Sequence, residues 1–192
     1  MRYDPEKHHR RSVRLSEYDY RRMGGYFITL CTHQRAELFG RIVENAMVLN
    51  EYGHVVLDEW METAIIRPGV LLDEFIVMPN HFHAIVFLPN ATEFDAVGAH
   101  RVPFGQDAPS GPGTAPQRAP KPLGAMIAGF KSTVTTQINM LRASPHTPVW
   151  QRNYYEHIIR DDEGLRRIRE YIDRNPAAWE TDDEHPARIG NP

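Results

Sequence analysis

The chain has 192 residues, 41% of them hydrophobic, with 22 Lys and Arg against 25 Asp and Glu for a formal net charge of −3. That length suits one domain with a sizeable core, and the charge excludes a polyanion binder built on net positive charge. The single cysteine, Cys31, excludes an internal disulfide, and the absence of an apolar signal core or membrane-length run points to a cytoplasmic, non-membrane protein.

Charge is unevenly spread. Arg2, Lys7, Arg10, Arg11, Arg14, Arg21 and Arg22 crowd the start, and Glu180, Asp182, Asp183 and Glu184 the end. Residues 1–24 therefore read as a basic arm and 180–192 as an acidic, disordered tail. The body between begins with an aromatic and β-branched run, Tyr26 to Thr32, which predicts a strand. Ile42-Val43 and Met47 to Leu49 flank Glu44-Asn45 as a short hairpin. Asn50 predicts an N-cap for a helix carrying Val56, Trp60, Ala64 and Ile65, stopped by Pro68-Gly69. Residues 71–78 and 81–88 read as two strands joined by a Pro79-Asn80 turn. Residues 89–122, rich in Pro, Gly and Ala, read as a flexible insert within one domain.

A second long helix is predicted from about Leu123 to Arg142, with Met126, Ile127, Phe130, Val134, Ile138 and Leu141 at helical spacing. Pro148 to Ile159 reads as extended chain. A third helix starts at Asp161 or Asp162, carries Leu165, Ile168 and Ile172, and breaks at Pro176. Pro176 also favours extended backbone at Asn175. The order predicts an α+β fold: a ferredoxin-like, RRM-like split β-α-β antiparallel sheet with helices packed on one side.

His81 and His83 are one residue apart on a predicted strand, so both imidazoles share a face and Phe82 takes the other. Two neutral imidazoles on one face suit a divalent metal. On the third helix, Tyr171 and Asn175 are four residues apart and also share a face.

The segments around these residues resemble the REP-associated tyrosine transposases, within the HUH single-tyrosine (IS200-like) transposase family. His81-Phe82-His83 fits the His-hydrophobic-His motif, and Met78-Pro79-Asn80 precedes it. Arg14-Leu15, Tyr18-Asp19-Tyr20, Leu38-Phe39-Gly40, Phe130-Lys131-Ser132, Trp150-Gln151-Arg152, Glu156-His157 and Tyr171-Ile172 with Asn175-Pro176 follow in order. The resemblance spans roughly Arg10 to Trp179 and implies the HUH endonuclease fold over 25–179. It also implies a metal-dependent single-strand DNA endonuclease and strand transferase acting on hairpin-containing, REP-like DNA through a 5′-phosphotyrosine.

Tyr154, Tyr155 and Tyr171 compete for the nucleophile. The family's tyrosine with a polar ligand one turn later favours Tyr171, with His81, His83 and Asn175 as ligands for Mg²⁺ or Mn²⁺. Tyr155 is the alternative nucleophile and His157 a supporting residue or ligand. Phosphate contacts are expected from Arg10, Arg11, Arg14, Arg21, Lys131, Arg152 and Arg160, and base stacking from Tyr155. The partner is single-stranded or hairpin DNA, and the chain a monomer or homodimer. A module with the same fold that binds DNA or RNA hairpins without chemistry is the competing reading, and a metal-dependent enzyme that activates water a third.

Overall fold

A computed structural model describes residues 23–67, 69–89 and 122–188. Strand β1 (Met23–Cys31) leads through a short 3-10 turn to the hairpin β2 (Gly40–Val43) and β3 (Ala46–Leu49). Glu44 and Asn45 both have positive φ, 50° and 62°, the mirror-image turn that matches strand twist. Helix α1 (Glu51–Ile66) follows at once, because the Asn50 side chain accepts from the amides of Tyr52 and Gly53. Gly53 lies so close to Phe39 that a β-carbon there would sit 2.2 Å from the Phe39 carbonyl oxygen. The helix stops at Arg67, before Gly69 with φ of 93°.

Strands β4 (Leu71–Val77) and β5 (His81–Pro89) form a tight hairpin, closed by the Met78 amide on the His81 carbonyl at 2.8 Å. Helix α2 (Pro122–Leu141), strand β6 (Tyr155–Ile159) and helix α3 (Asp162–Arg174) complete the body. Asp161 caps α3 through the Gly164 amide at 2.6 Å. The four-stranded sheet runs β4-β5-β1-β6 with every neighbouring pair antiparallel, the strand order of the split β-α-β arrangement. Only residues 155–159 of the expected extended segment join the ladder. Upstream of them, Trp150 makes an isolated bridge to Thr32.

The sheet has two cores. One face packs Ile28, Leu30, Phe82, Ala84 and Val86 against Val56 and Trp60 of α1 and Ile127, Phe130 and Val134 of α2. Trp60 sits at its centre, edge-on to Phe82 and Phe130 at 5.0 and 5.3 Å between ring centroids. Trp60→Ala is expected to cost about 3–5 kcal/mol of unfolding free energy, read from urea denaturation; a loss below about 1 kcal/mol would mean this contact does not fasten the helices to the sheet. The opposite face packs Phe27, Ile85 and Phe87 against Leu165 and Ile172 of α3. The sequence pattern predicts all helices on one side, but the third packs on the opposite face, the one that carries His81 and His83.

Two further expectations are corrected. Residues 180–188 are not a disordered tail: Trp179–Thr181 and Pro186–Arg188 form 3-10 turns, and Trp179 and Asp182 are buried. Trp179 supplies an apolar anchor, while Arg35, Asn80 and Asn175 supply donors to Asp182 and Glu184 that water would otherwise provide. Asn175 is helical, φ −56° and ψ −44°, despite preceding Pro176. Its buried hydrogen bond to Asp182 and continued helical turns through Ala178 outweigh the local preference. No helix among the described residues is long and apolar enough to cross a membrane.

Candidate active site

Strand alternation turns His81 and His83 of β5 toward α3 and drives Phe82 into the other core. Both histidines are buried, with ring centroids 4.4 Å apart. Helix α3 lays Tyr171 and Asn175 over them. The Asn175 Oδ1 is 3.3 Å from His81 Nε2, and the Tyr171 hydroxyl is 3.3 Å from His83 Nε2.

The hydrogen bonds behind each ring fix which nitrogens face the site. Asn80 donates through Nδ2 to the carbonyls of Arg35 and Glu184, so its Oδ1 faces His81 Nδ1 at 2.9 Å. Burial is the main cause that pushes the His81 pKa down to about 4, with Asp182 and Asn175 opposing it. The ring is therefore neutral near pH 7. Its one proton belongs on Nδ1, where it bonds to Asn80 at the shorter distance. That leaves the Nε2 lone pair facing Asn175 Oδ1. This oxygen is itself only an acceptor, since Asn175 Nδ2 donates to Asp182 Oδ2 at 2.6 Å. His83 is likewise neutral, its pKa held well below the usual histidine value by burial and then by His81. Its Nδ1 lies 2.9 Å from Thr29 Oγ1, and its Nε2 faces the Tyr171 hydroxyl.

With the His81 proton on Nδ1, the buried acceptors His81 Nε2 and Asn175 Oδ1 lack a donor, and a cation or a water molecule between them would satisfy both. Ligand atoms of His81, His83 and Asp182 lie within 4.8 Å of one another. Two neutral imidazoles, an amide oxygen and a carboxylate suit a divalent metal ion. Asp182 is the residue that sequence reasoning missed. It looks like Asp183 and Glu184 beside it, and no local signal separates them. Asn80 and Thr29, which orient the rings, were legible only as a turn and a strand residue.

Tyr171 is 45% exposed, and its ring meets Phe27 edge-on at 6.0 Å. Burial, Asp182 and Asp183 push its pKa up to about 12, with the Asn175 hydrogen bond opposing them, so the hydroxyl keeps its proton at neutral pH. It opens into a surface cavity of about 450 Å³, also lined by Arg167, Arg174, Asn175 and Asp182.

The other candidates scatter. Tyr155 is 58% exposed on the same sheet face, edge-on to Phe27 at 6.4 Å. His157 pairs with Phe27 across the strands and is not among the residues that converge with His81 and His83. Tyr154 donates to Glu156 at 3.1 Å and lines a separate groove with Lys131 and Arg152. Lys131 bonds the carbonyls of Gln151 and Arg152 at 2.6 and 3.1 Å, tying α2 to the chain before β6. Arg152 and Arg160 are exposed. Arg10, Arg11, Arg14 and Arg21 lie outside the described residues, as do 90–121 of the insert.

No family model matches the chain. A relative from Haemophilus influenzae (strain ATCC 51907 / DSM 11121 / KW20 / Rd), an "Uncharacterized protein", is 39% identical over 181 residues, which is 94% of this chain and 96% of the relative. Among solved structures, a REP-associated tyrosine transposase bound to a REP hairpin is 19% identical, with 85% of this chain and 73% of that one covered and a TM-score of 0.46. A "putative transposase" of Deinococcus radiodurans is 14% identical, with 85% and 95% covered and a TM-score of 0.43.

Proposed function

The chain belongs to one family with the Haemophilus influenzae protein, and we propose that it is a REP-associated tyrosine transposase: a metal-dependent endonuclease and strand transferase for hairpin-bearing single-stranded DNA. The observation that carries this reading is the convergence of a tyrosine hydroxyl and four metal-donor groups across the His face of one sheet. The Tyr171 oxygen lies 3.3 Å from His83 Nε2, on the helix that also brings Asn175 to His81.

In this reading Tyr171 Oη attacks the scissile phosphorus. The Oη–P bond forms as the P–O3′ bond breaks, leaving the 5′ phosphate on Tyr171 and a free 3′-OH. One phosphodiester replaces another, so no outside energy source is needed, and the retained bond can pass to a second strand. The tyrosine proton is lost during attack, and the leaving 3′ oxygen gains one. His81, His83, Asn175 and Asp182 would hold a divalent cation, Mg²⁺ or Mn²⁺ in a nuclease of this kind. The chemistry it supplies is neutralisation of negative charge on the phosphate in the transition state. Asn80 and Thr29 hold the two rings with Nε2 toward that place. Burial and the fields of Asp182 and Asp183 disfavour the Tyr171 phenolate, and positive charge held by these donors would offset that. The exposed Tyr155, on the same sheet face and edge-on to the buried Phe27, offers aromatic surface to unpaired bases near the nucleophile.

The test is a denaturation-resistant adduct between the protein and labelled, hairpin-bearing single-stranded DNA in Mg²⁺ or Mn²⁺. Binding without an adduct under either metal supports a hairpin-binding module instead. Asp182 gives a second check. Asp182→Asn is expected to weaken Mn²⁺ binding by about 10–100-fold in calorimetry, because a charged donor is lost while the hydrogen bond to Asn175 is re-formed poorly. Unchanged affinity would remove Asp182 from the metal site.

A further inference from the structure

Helix α3 must hold two side chains in place at once, yet its apolar anchorage is small. Only Leu165 and Ile172 are buried hydrophobics on it, with Ile168 packed beside them. A narrow apolar stripe sets which way a helix faces more firmly than how far it has slid or turned. Away from the site, an ion pair also links α3 to the sheet. Arg169 donates through Nε to Asp73 Oδ1 at 2.9 Å and through Nη2 to Asp73 Oδ2, a two-pronged pair between β4 and α3. Asp73 is 3% exposed at its side chain and Arg169 15%.

The strand is irregular where it makes this contact. The β4–β5 register shifts between Leu72 and Phe75. Leu72 and Phe75 both enter the α1–α2 core, whereas Leu71 and Ile76 pack on the α3 side. Strict alternation would put Leu72 and Phe75 on opposite faces, so the bulge adds the residue that lets Asp73 address α3 without misplacing Phe75. The Glu74 amide donates to Asp73 Oδ1 at 2.8 Å and fixes the carboxylate. A buried ion pair is weak evidence of stability, because desolvation offsets attraction. Its geometric constraint is stronger: a guanidinium fork meeting a carboxylate fixes angle as well as distance.

We propose that the Asp73–Arg169 pair is a positioning latch that sets the slide and rotation of α3, and so holds Tyr171 on His83 and Asn175 on His81. This rests on the reading of Tyr171 as nucleophile. Arg169 precedes Tyr171 by two residues, so a displaced fork moves the hydroxyl directly, and a misplacement of about 1 Å can slow such a reaction about 100-fold.

The test compares Asp73→Asn, which keeps shape, and Arg169→Lys, which keeps charge but loses the fork, with wild type and Tyr171→Phe. Each variant is checked for folding by thermal melting and for binding to labelled hairpin DNA. Adduct formation is then timed in a single turnover. The imidazole nitrogen shifts of His83 are read by NMR without metal or DNA. The latch predicts folded variants that bind DNA within about threefold of wild type, form adduct about tenfold or more slowly, and move the His83 shifts toward those of Tyr171→Phe. Wild-type rates and shifts in a folded variant overturn it. Unfolding of both variants also overturns it, by assigning the pair to stability. If Asp73→Asn alone fails to fold, Arg169→Lys decides. If wild type itself forms no adduct, the transposase reading fails, while the His83 shifts still decide whether the pair places α3.

Discussion

Tyr171→Phe is expected to abolish the covalent protein–DNA adduct, by about 10⁴-fold or more, while leaving the protein folded and able to bind hairpin DNA. The substitution removes one oxygen. Structurally that oxygen bonds to His83 Nε2 at 3.3 Å and to Asn175, each bond worth about 1 kcal/mol in a typical fold. Chemically it is the atom proposed to bond to phosphorus, and phenylalanine has nothing to replace it. Tyr155→Phe should still form adduct, because Tyr155 projects from the sheet edge and touches neither histidine in the described contacts. The measurement is a denaturing gel of labelled hairpin-bearing single strand after incubation with Mg²⁺ or Mn²⁺. An adduct that persists in Tyr171→Phe and disappears in Tyr155→Phe would transfer the nucleophile to the edge strand.

His81→Ala and His83→Ala are the second pair of large expected effects. Each should weaken Mn²⁺ binding by about 100-fold or more and eliminate cleavage, with DNA affinity held within about threefold of wild type. The split follows from burial. Both rings are enclosed between the sheet and α3, so they touch DNA little, while their Nε2 atoms face the other donors. Removing His81 strands the Asn80 oxygen and leaves Asn175 facing an empty space, so some loss of melting temperature is expected as well. Calorimetry with Mn²⁺ therefore accompanies the cleavage assay, and His81→Gln and His83→Gln, which retain bulk, control for packing. Normal cleavage by a folded variant lacking either imidazole would sink the metal role of that histidine.

Much of what positions these groups is local and was legible in the sequence. Period-two alternation puts His81 and His83 on one face and Phe82 on the other, whatever packs there. The four-residue spacing of Tyr171 and Asn175 puts them on one side of any helix they share. Asn50 and Asp161 cap helices through amides two or three residues away, and Glu44-Asn45 makes its turn from its own backbone angles. These features depend on neighbours in the chain, so a single sequence specifies them.

The partnership between the two pairs is of another kind. Nothing within β5 or α3 says that the third helix crosses to the histidine face. That is decided by where Phe27, Ile85 and Phe87 leave apolar area uncovered once α1 and α2 have taken the opposite side. Asp182 reads as one acid in an acidic run until Trp179 buries and carries it to Asn175. The same holds for Asp73, an apparent interruption in a strand until the bulge and Arg169 give it a partner. The sequence by itself determined that a histidine pair and a tyrosine–asparagine pair each present one face, because both spacings are set by backbone geometry. Only the tertiary structure decided that those faces meet, with Asp182 between them, because that meeting depends on burial and charge pairing between residues about a hundred positions apart in the chain.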